Sequence, residues 1–166
     1  MKGKSHIILA ANVGATALIF LSPNDLNHSI ELMSFSILGG LFPDIDLPQS
    51  TLGKITRPIS TLLNRLFKHR GFIHSPLFAA IICFLLYRYL NYYYFLGFLL
   101  GIMSHLISDT MTKGGIPWLY PFKKKKYNLT NIESGNKFET PLVLIFSSIF
   151  VGICFSYKLG VFSLWK

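Results

Sequence analysis

Four short groups of histidine and aspartate interrupt an otherwise apolar chain: His6, Pro43-Asp44-Ile45-Asp46, His69-Arg70-Gly71-Phe72-Ile73-His74-Ser75, and Ser104-His105-Leu106-Ile107-Ser108-Asp109. Imidazole and carboxylate together suit Zn²⁺, Mn²⁺ or Fe²⁺, and the lack of cysteine in all four groups argues against a closed structural zinc site. His105 and Asp109 are i and i+4, so on a helix they share one face a turn apart and can reach one ion or two neighbouring ions. Asp44 and Asp46 are i and i+2 on a proline-initiated turn, where an extended chain would aim both carboxylates inward. His69 and His74 bracket Gly71, whose backbone freedom permits a tight bend between them. His105 and Asp109 also lie in or at the edge of an apolar run, where an aspartate costs roughly 2.5 to 3.5 kcal/mol by insertion scales and is functional by default. Blander readings stand beside these. His6 could be a helix-end residue and Asp44 a helix terminator. His28, in a polar stretch with Asn24, Asp25 and Asn27, reads as plain exposed polarity and is set aside.

The elements that must position these residues are apolar runs. Hydrophobic residues make up 51% of the chain and charged residues 14%, with a mean hydropathy of +0.47. A soluble domain carries roughly 25% charged residues, so the deficit points to a surface that faces lipid. Five apolar stretches stand out, at 7–21, 30–42, 77–90, 92–111 and 142–157, the last with 158–164 as an extension. Several are shorter than the roughly 20 residues that cross a bilayer comfortably and need tilt or local thinning. The expected fold is an all-α polytopic helical bundle of about five spans, with four the alternative because the second run is the weakest. It forms a single membrane-embedded domain over 1–166 that includes a cytoplasmic interfacial loop at 112–140.

Charge sets the orientation. Placing the N-terminus inside puts Lys2, Lys4, Lys54, Arg57, Arg65, Lys68, Arg70, Lys113, 123–126 and Lys137 on the cytoplasmic side, thirteen of the 16 basic residues. Only Arg88, Lys158 and Lys166 remain on the other, so positive-inside bias selects N-in, C-out. The net charge of +9 is then a topology signal, and no specific nucleic-acid partner is expected. All four polar groups fall at one membrane level, on the cytoplasmic side. The first run is read as a retained helix in preference to a cleaved signal peptide, although Ala15-Thr16-Ala17 has the small-x-small form. Tyr87, Tyr89 and 92–94 form an interfacial aromatic belt, and Trp118, Tyr120 and Phe122, set among Pro117 and Pro121, suit the opposite interface. The lysines at 123–126 suit anionic headgroups, or serve topology alone. Cys83 and Cys154 sit in apolar runs and read as small packing residues.

The assembled pattern resembles the YdjM-type family of inner-membrane proteins, described as metal-dependent hydrolases. The resemblance covers 6–122 and rests on His6, Gly40-Leu41-Phe42-Pro43-Asp44-Ile45-Asp46, His69-Arg70-Gly71 with His74-Ser75, Gly101-x-x-Ser104-His105 with Asp109, and Thr112-x-x-Gly115. That family is distantly similar to the zinc-dependent phospholipase C and single-strand nuclease superfamily. The resemblance implies His6, Asp44, His69, His74, His105 and Asp109 as metal ligands, with Asp46 a ligand or a partner of one. It implies a bacterial inner-membrane location and one or two divalent ions, zinc first and manganese or iron as alternatives. The expected function is hydrolysis of a phosphoester, lipid or nucleotide, at the cytoplasmic membrane face. Asp46 or Asp109 would accept a proton or orient a histidine, and Arg70 would hold a phosphate oxygen, unless it is only a positive-inside residue. Membrane lipids are the expected partners. The rival readings are a metal-binding transporter or channel, and a membrane scaffold with a structural metal.

Overall fold

The protein, described here as a computed structural model over residues 3–135 and 139–160, is all-helical. Lys2, Lys137, Lys166 and the extension at 161–164 lie outside the described residues. Among these residues seven α-helices follow in order: α1 Gly3–Leu21, α2 Leu26–Leu41, α3 Thr51–Ile55, α4 Arg57–Phe67, α5 Pro76–Tyr89, α6 Tyr92–Thr110 and α7 Glu139–Lys158. Two 3₁₀ turns, Phe42–Asp46 and Phe72–His74, interrupt them. The five apolar runs are thus α1, α2, α5, α6 and α7. Among the described residues, α1 and α7 are long and apolar enough to cross a membrane; α2, α5 and α6 fall outside that measure.

Side-chain caps start most of these helices where the sequence places a cap residue. Asp25 accepts from the Asn27 amide, Ser50 from Gly53, Ser75 from Phe78, and Asn91 from both Tyr93 and Tyr94. Each satisfies an amide that the first helical turn leaves without a partner. Pro76, directly after Ser75, already has the backbone angle of a first helical residue.

Helix α6 is the axis of the bundle and packs on α1, α2 and α5. Its crossing with α2 depends on Gly97 and Gly101, one turn apart. A Cβ at Gly101 would lie 2.0 Å from the Ser36 carbonyl oxygen, and one at Gly97 would lie 2.3 Å from that of Leu32. Small residues at this spacing let helix backbones approach closely, as in membrane helix pairs. Phe98, Ile102 and Leu106 of α6, with Ala79 and Cys83 of α5 and Ile116 beyond, form the apolar core.

The helix ends alternate. Helix α7 runs parallel to α1, with Thr140 against Ser5 at 3.0 Å and the Lys158 ammonium on the Ile19 carbonyl and Ser22 hydroxyl at the far end. That far end also holds His28, which pairs with Glu31 at 3.1 Å, and Asn91, which donates to Glu31. Past α6 the chain folds back on itself. Ile116 pairs with Tyr127 across an isolated bridge, and the Leu129 amide reaches the Thr110 carbonyl. Helix α7 buries none of its side chains; Phe146, Ile149, Phe150 and Ile153 are all exposed. An apolar surface of that extent needs lipid or another chain to cover it.

Candidate metal centre

At one end of the bundle the four polar groups meet. The ligand atoms of His6, His105 and Asp109 all lie within 4.8 Å of one another, as do those of Asp44, His69 and His74. The two triads adjoin. His105 Nε2 is 3.3 Å from His74 Nε2, and Asp109 Oδ2 is 3.7 Å from both nitrogens. His6 comes from the first turns of α1, Asp44 and Asp46 from the 3₁₀ turn after α2, His69 and His74 from the loop before α5, and His105 and Asp109 from the last turns of α6.

Three of these histidines are hydrogen-bonded at Nδ1, and the fourth, His74, turns Nδ1 toward a carboxylate. His69 Nδ1 lies 2.8 Å from Asp46 Oδ1, and His74 Nδ1 lies 3.2 Å from Asp46 Oδ2. His105 Nδ1 lies 2.7 Å from the Gly40 carbonyl oxygen, which can only accept, so that nitrogen carries the proton. His6 Nδ1 lies 3.2 Å from the Ser108 hydroxyl, whose own proton goes to the His105 carbonyl, so His6 donates there as well. In all four rings Nε2 is the nitrogen left for another partner. Metal-ligating histidines are fixed in this way, with the non-ligating N–H tied to a carboxylate or carbonyl.

The proline-initiated turn at Asp44 and Asp46 is a 3₁₀ turn and not extended chain, and the two carboxylates do different things. The turn follows from Pro43, which begins it without a donor of its own. Asp44 faces His74 and His105, at 3.8 and 3.9 Å. Asp46, fully buried, bonds His69 through Oδ1 and turns Oδ2 toward His74. Asn64 of α4 fixes the turn through the Asp46 carbonyl, and Ser50 does so through that of Asp44.

Arg70 reaches Asp109 at 2.7 Å, Thr112 at 3.0 Å and Ser134 at 3.3 Å. The tight bend assigned to Gly71 is shared, because Lys68 and Arg70 both have positive φ, at 57° and 58°. Such backbone costs on the order of 1–3 kcal/mol at a non-glycine residue and clusters at functional sites.

The electrostatics favour ionised acids. Burial raises the Asp44 and Asp46 carboxyls, but their histidine partners outweigh it and hold both below the usual carboxylate range. Burial lowers His74, but Asp44 and Asp46 outweigh it and push it up to about 9. His6 Nε2, His74 Nδ1 and Asp46 Oδ2 are buried without a hydrogen-bond partner, the last two close but misaligned. Unpartnered buried polar atoms are costly, and His6 Nε2 in particular suits a cation. The donor set of four imidazoles and flanking carboxylates fits one or two divalent ions.

Two cavities open here. One of about 460 Å³ is lined by Asp44, His69 and Arg70 together with Ser50 and Ser134. The other, about 350 Å³, is lined by His69 and Arg70 with Lys68, Lys124, Lys126 and Tyr120. Lys126 donates to the His69 carbonyl at 3.3 Å; burial and the nearby Arg70 lower its ammonium pKa.

All seven metal candidates named from the sequence come together, and Arg70 joins them. Ser108, Gly40, Asn64 and Thr112 were not singled out for a role. Ser108 sits in the same motif as His105 and Thr112 just beyond it, whereas nothing in the sequence marks Asn64.

An all-helical chain with large apolar outer faces and a polar His/Asp cluster buried at one end is a membrane protein. The YdjM inner membrane protein family matches residues 1–163, and the chain belongs to that family. It is 38% identical over 92 residues to Inner membrane protein YdjM of Escherichia coli (strain K12), covering 52% of this chain and 47% of that one; the Shigella flexneri protein of the same name matches equally. The match therefore spans about half the length of those two relatives. Uncharacterized protein YvsG of Bacillus subtilis (strain 168) is 33% identical over 122 residues, covering 73% of this chain and 74% of that one. No solved structure matches. The relatives' names support a bacterial inner-membrane location.

Proposed function

We propose that this protein is a membrane-bound, metal-dependent hydrolase of a phosphoester, acting at the cytoplasmic face of the inner membrane. The observation that carries the reading is the meeting of four histidines with Asp44 and Asp109 in two adjoining triads, each with its ligand atoms within 4.8 Å of one another, with His6, His69 and His105 hydrogen-bonded at Nδ1. The reaction class follows the resemblance to the zinc-dependent phospholipase C and nuclease superfamily. The membrane topology is the five-span, N-in arrangement argued from charge, which sets the site at headgroup depth.

His6, His105 and Asp109 would hold one ion and Asp44, His69 and His74 a second. When bound, a divalent ion lowers the pKa of water and offsets charge on a phosphoryl oxygen. Asp46 orients His69 through a hydrogen bond at Oδ1 and sets its charge beside His74 at Oδ2, which favours an orienting role over proton transfer. Asp44 lines the cavity of about 460 Å³, so it stands where water can enter. Arg70 lines both cavities and can meet a phosphate oxygen while it steadies Asp109. Lys68, Lys124 and Lys126 give the second cavity a cationic rim suited to a phosphate anion.

The test is a screen of lipid and nucleotide phosphoesters with purified full-length protein and added zinc or manganese, using Asp109→Ala as the blank. Turnover above the blank is expected. Retained metal without turnover would overturn the hydrolase reading and leave a transport or structural role.

A further inference from the structure

Helix α4 is arranged the wrong way round for water. Ser60 and Asn64, one turn apart, face inward: Ser60 is buried, and Asn64 donates to the Asp46 carbonyl at 2.8 Å. Ile59, Leu62 and Leu66, at i, i+3 and i+7, form an outward stripe with exposures of 56%, 56% and 64%. Ile55, just before the helix, is 79% exposed. A helix on a soluble surface turns such a stripe inward. The flanks are cationic: Lys54, Arg57, Arg65 and Lys68 are all exposed, and no aspartate or glutamate occurs between Asp46 and Asp109. An apolar stripe bordered by basic residues alone is the pattern of a helix lying in a membrane interface, where long basic side chains reach up to headgroup phosphates.

We propose that α4 is an in-plane helix whose Ile59–Leu62–Leu66 face enters the acyl boundary of an anionic phospholipid bilayer. The helix is tied through Asn64 to the turn that carries Asp44 and Asp46, so its depth sets the depth of the metal centre. Its C-terminal residues Leu66, Phe67 and Lys68 form one wall of the cationic cavity. Phe122, 92% exposed, stands just before the Lys123–Lys126 run that gives the cavity Lys124 and Lys126. That cavity accordingly opens at the headgroups and not toward bulk water. The surface goes beyond the hydrolase reading and does not depend on it.

Spin labels at Leu62→Cys and Arg65→Cys, in full-length protein with Cys83→Ala and Cys154→Ala, test this in vesicles of equimolar phosphatidylcholine and phosphatidylglycerol. Both labelled positions are exposed, so neither label disturbs packing. The expected result is an oxygen-over-nickel-chelate collision ratio several-fold higher at 62 than at 65, shrinking in phosphatidylcholine alone. Equal ratios at the two positions, a contrast independent of lipid charge, or spin–spin broadening at 62 from a second copy would each overturn the proposal. None of these readouts depends on phosphoester turnover.

Discussion

Asp46→Asn is the sharpest perturbation of the centre because it changes charge and hydrogen-bond polarity but hardly any volume. The carboxylate accepts from His69 at 2.8 Å and faces His74 at 3.2 Å, one oxygen to each, in full burial. The amide keeps one acceptor; its nitrogen then meets an imidazole N–H, donor against donor. A hydrogen bond to a charged group contributes about 1.5–3 kcal/mol. Independently, losing the outer partner of a ligating histidine weakens metal binding about 10–100-fold, which is about 1.4–2.7 kcal/mol at 1.36 kcal/mol per decade. The two routes agree, so about 2 kcal/mol is expected. The loss should fall on the ion that Asp44, His69 and His74 would hold, since the Asp46 carboxylate contacts His69 and His74. Competition with a chelator, followed on purified protein, should release one ion early and the other as in wild type. Unchanged affinity for both ions, or equal loss of both, would refute the assignment of Asp46 as the anchor of two histidines.

Other expectations follow from particular contacts. Gly101→Ala places a Cβ 2.0 Å from the Ser36 carbonyl, and overpacking of this kind costs about 1–3 kcal/mol; thermal unfolding in detergent should drop, with metal lost as His105 parts from Gly40. Gly114→Ala would put a Cβ 1.8 Å from Arg70 Nη1, so turnover should fall while metal content, measured alongside, holds. His74 is held up to about 9 by its aspartates, so the metal-free protein carries a proton there at neutral pH. Zinc must displace that proton, so apparent affinity should rise as pH approaches that value, and calorimetry in two buffers should detect proton release. His28→Ala, at the far end beside Glu31, should leave metal content unchanged.

The helices of the bundle were legible because each is an apolar run long enough to register, and the convergence of His6, Asp44, His74 and His105 followed from which ends those runs share. Helix α4 was not legible as an element. Its eleven residues set Ile59, Leu62, Leu63, Leu66 and Phe67 at helical spacing, but the run is short and lies among Lys54, Arg57, Arg65 and Lys68, so the stretch reads as a loop of positive charge. The role of Asp46 was open between ligand and partner because it depends on the kind of turn that follows Pro43, a 3₁₀ turn, which spacing alone does not decide. Nor does spacing reveal which ring nitrogen points inward. That is decided by the Gly40 carbonyl and the Ser108 hydroxyl, contacts that exist only once α1, α2 and α6 have packed.

The central claim is a paired His/Asp metal centre, and metal analysis of purified full-length protein tests it most directly. With zinc supplied during growth, two ions per chain are expected, one for each triad. Asp44→Ala and His105→Ala should each lose an ion from its own triad. Wild-type protein that folds and purifies with no stoichiometric metal, and takes none up on titration, would contradict the account.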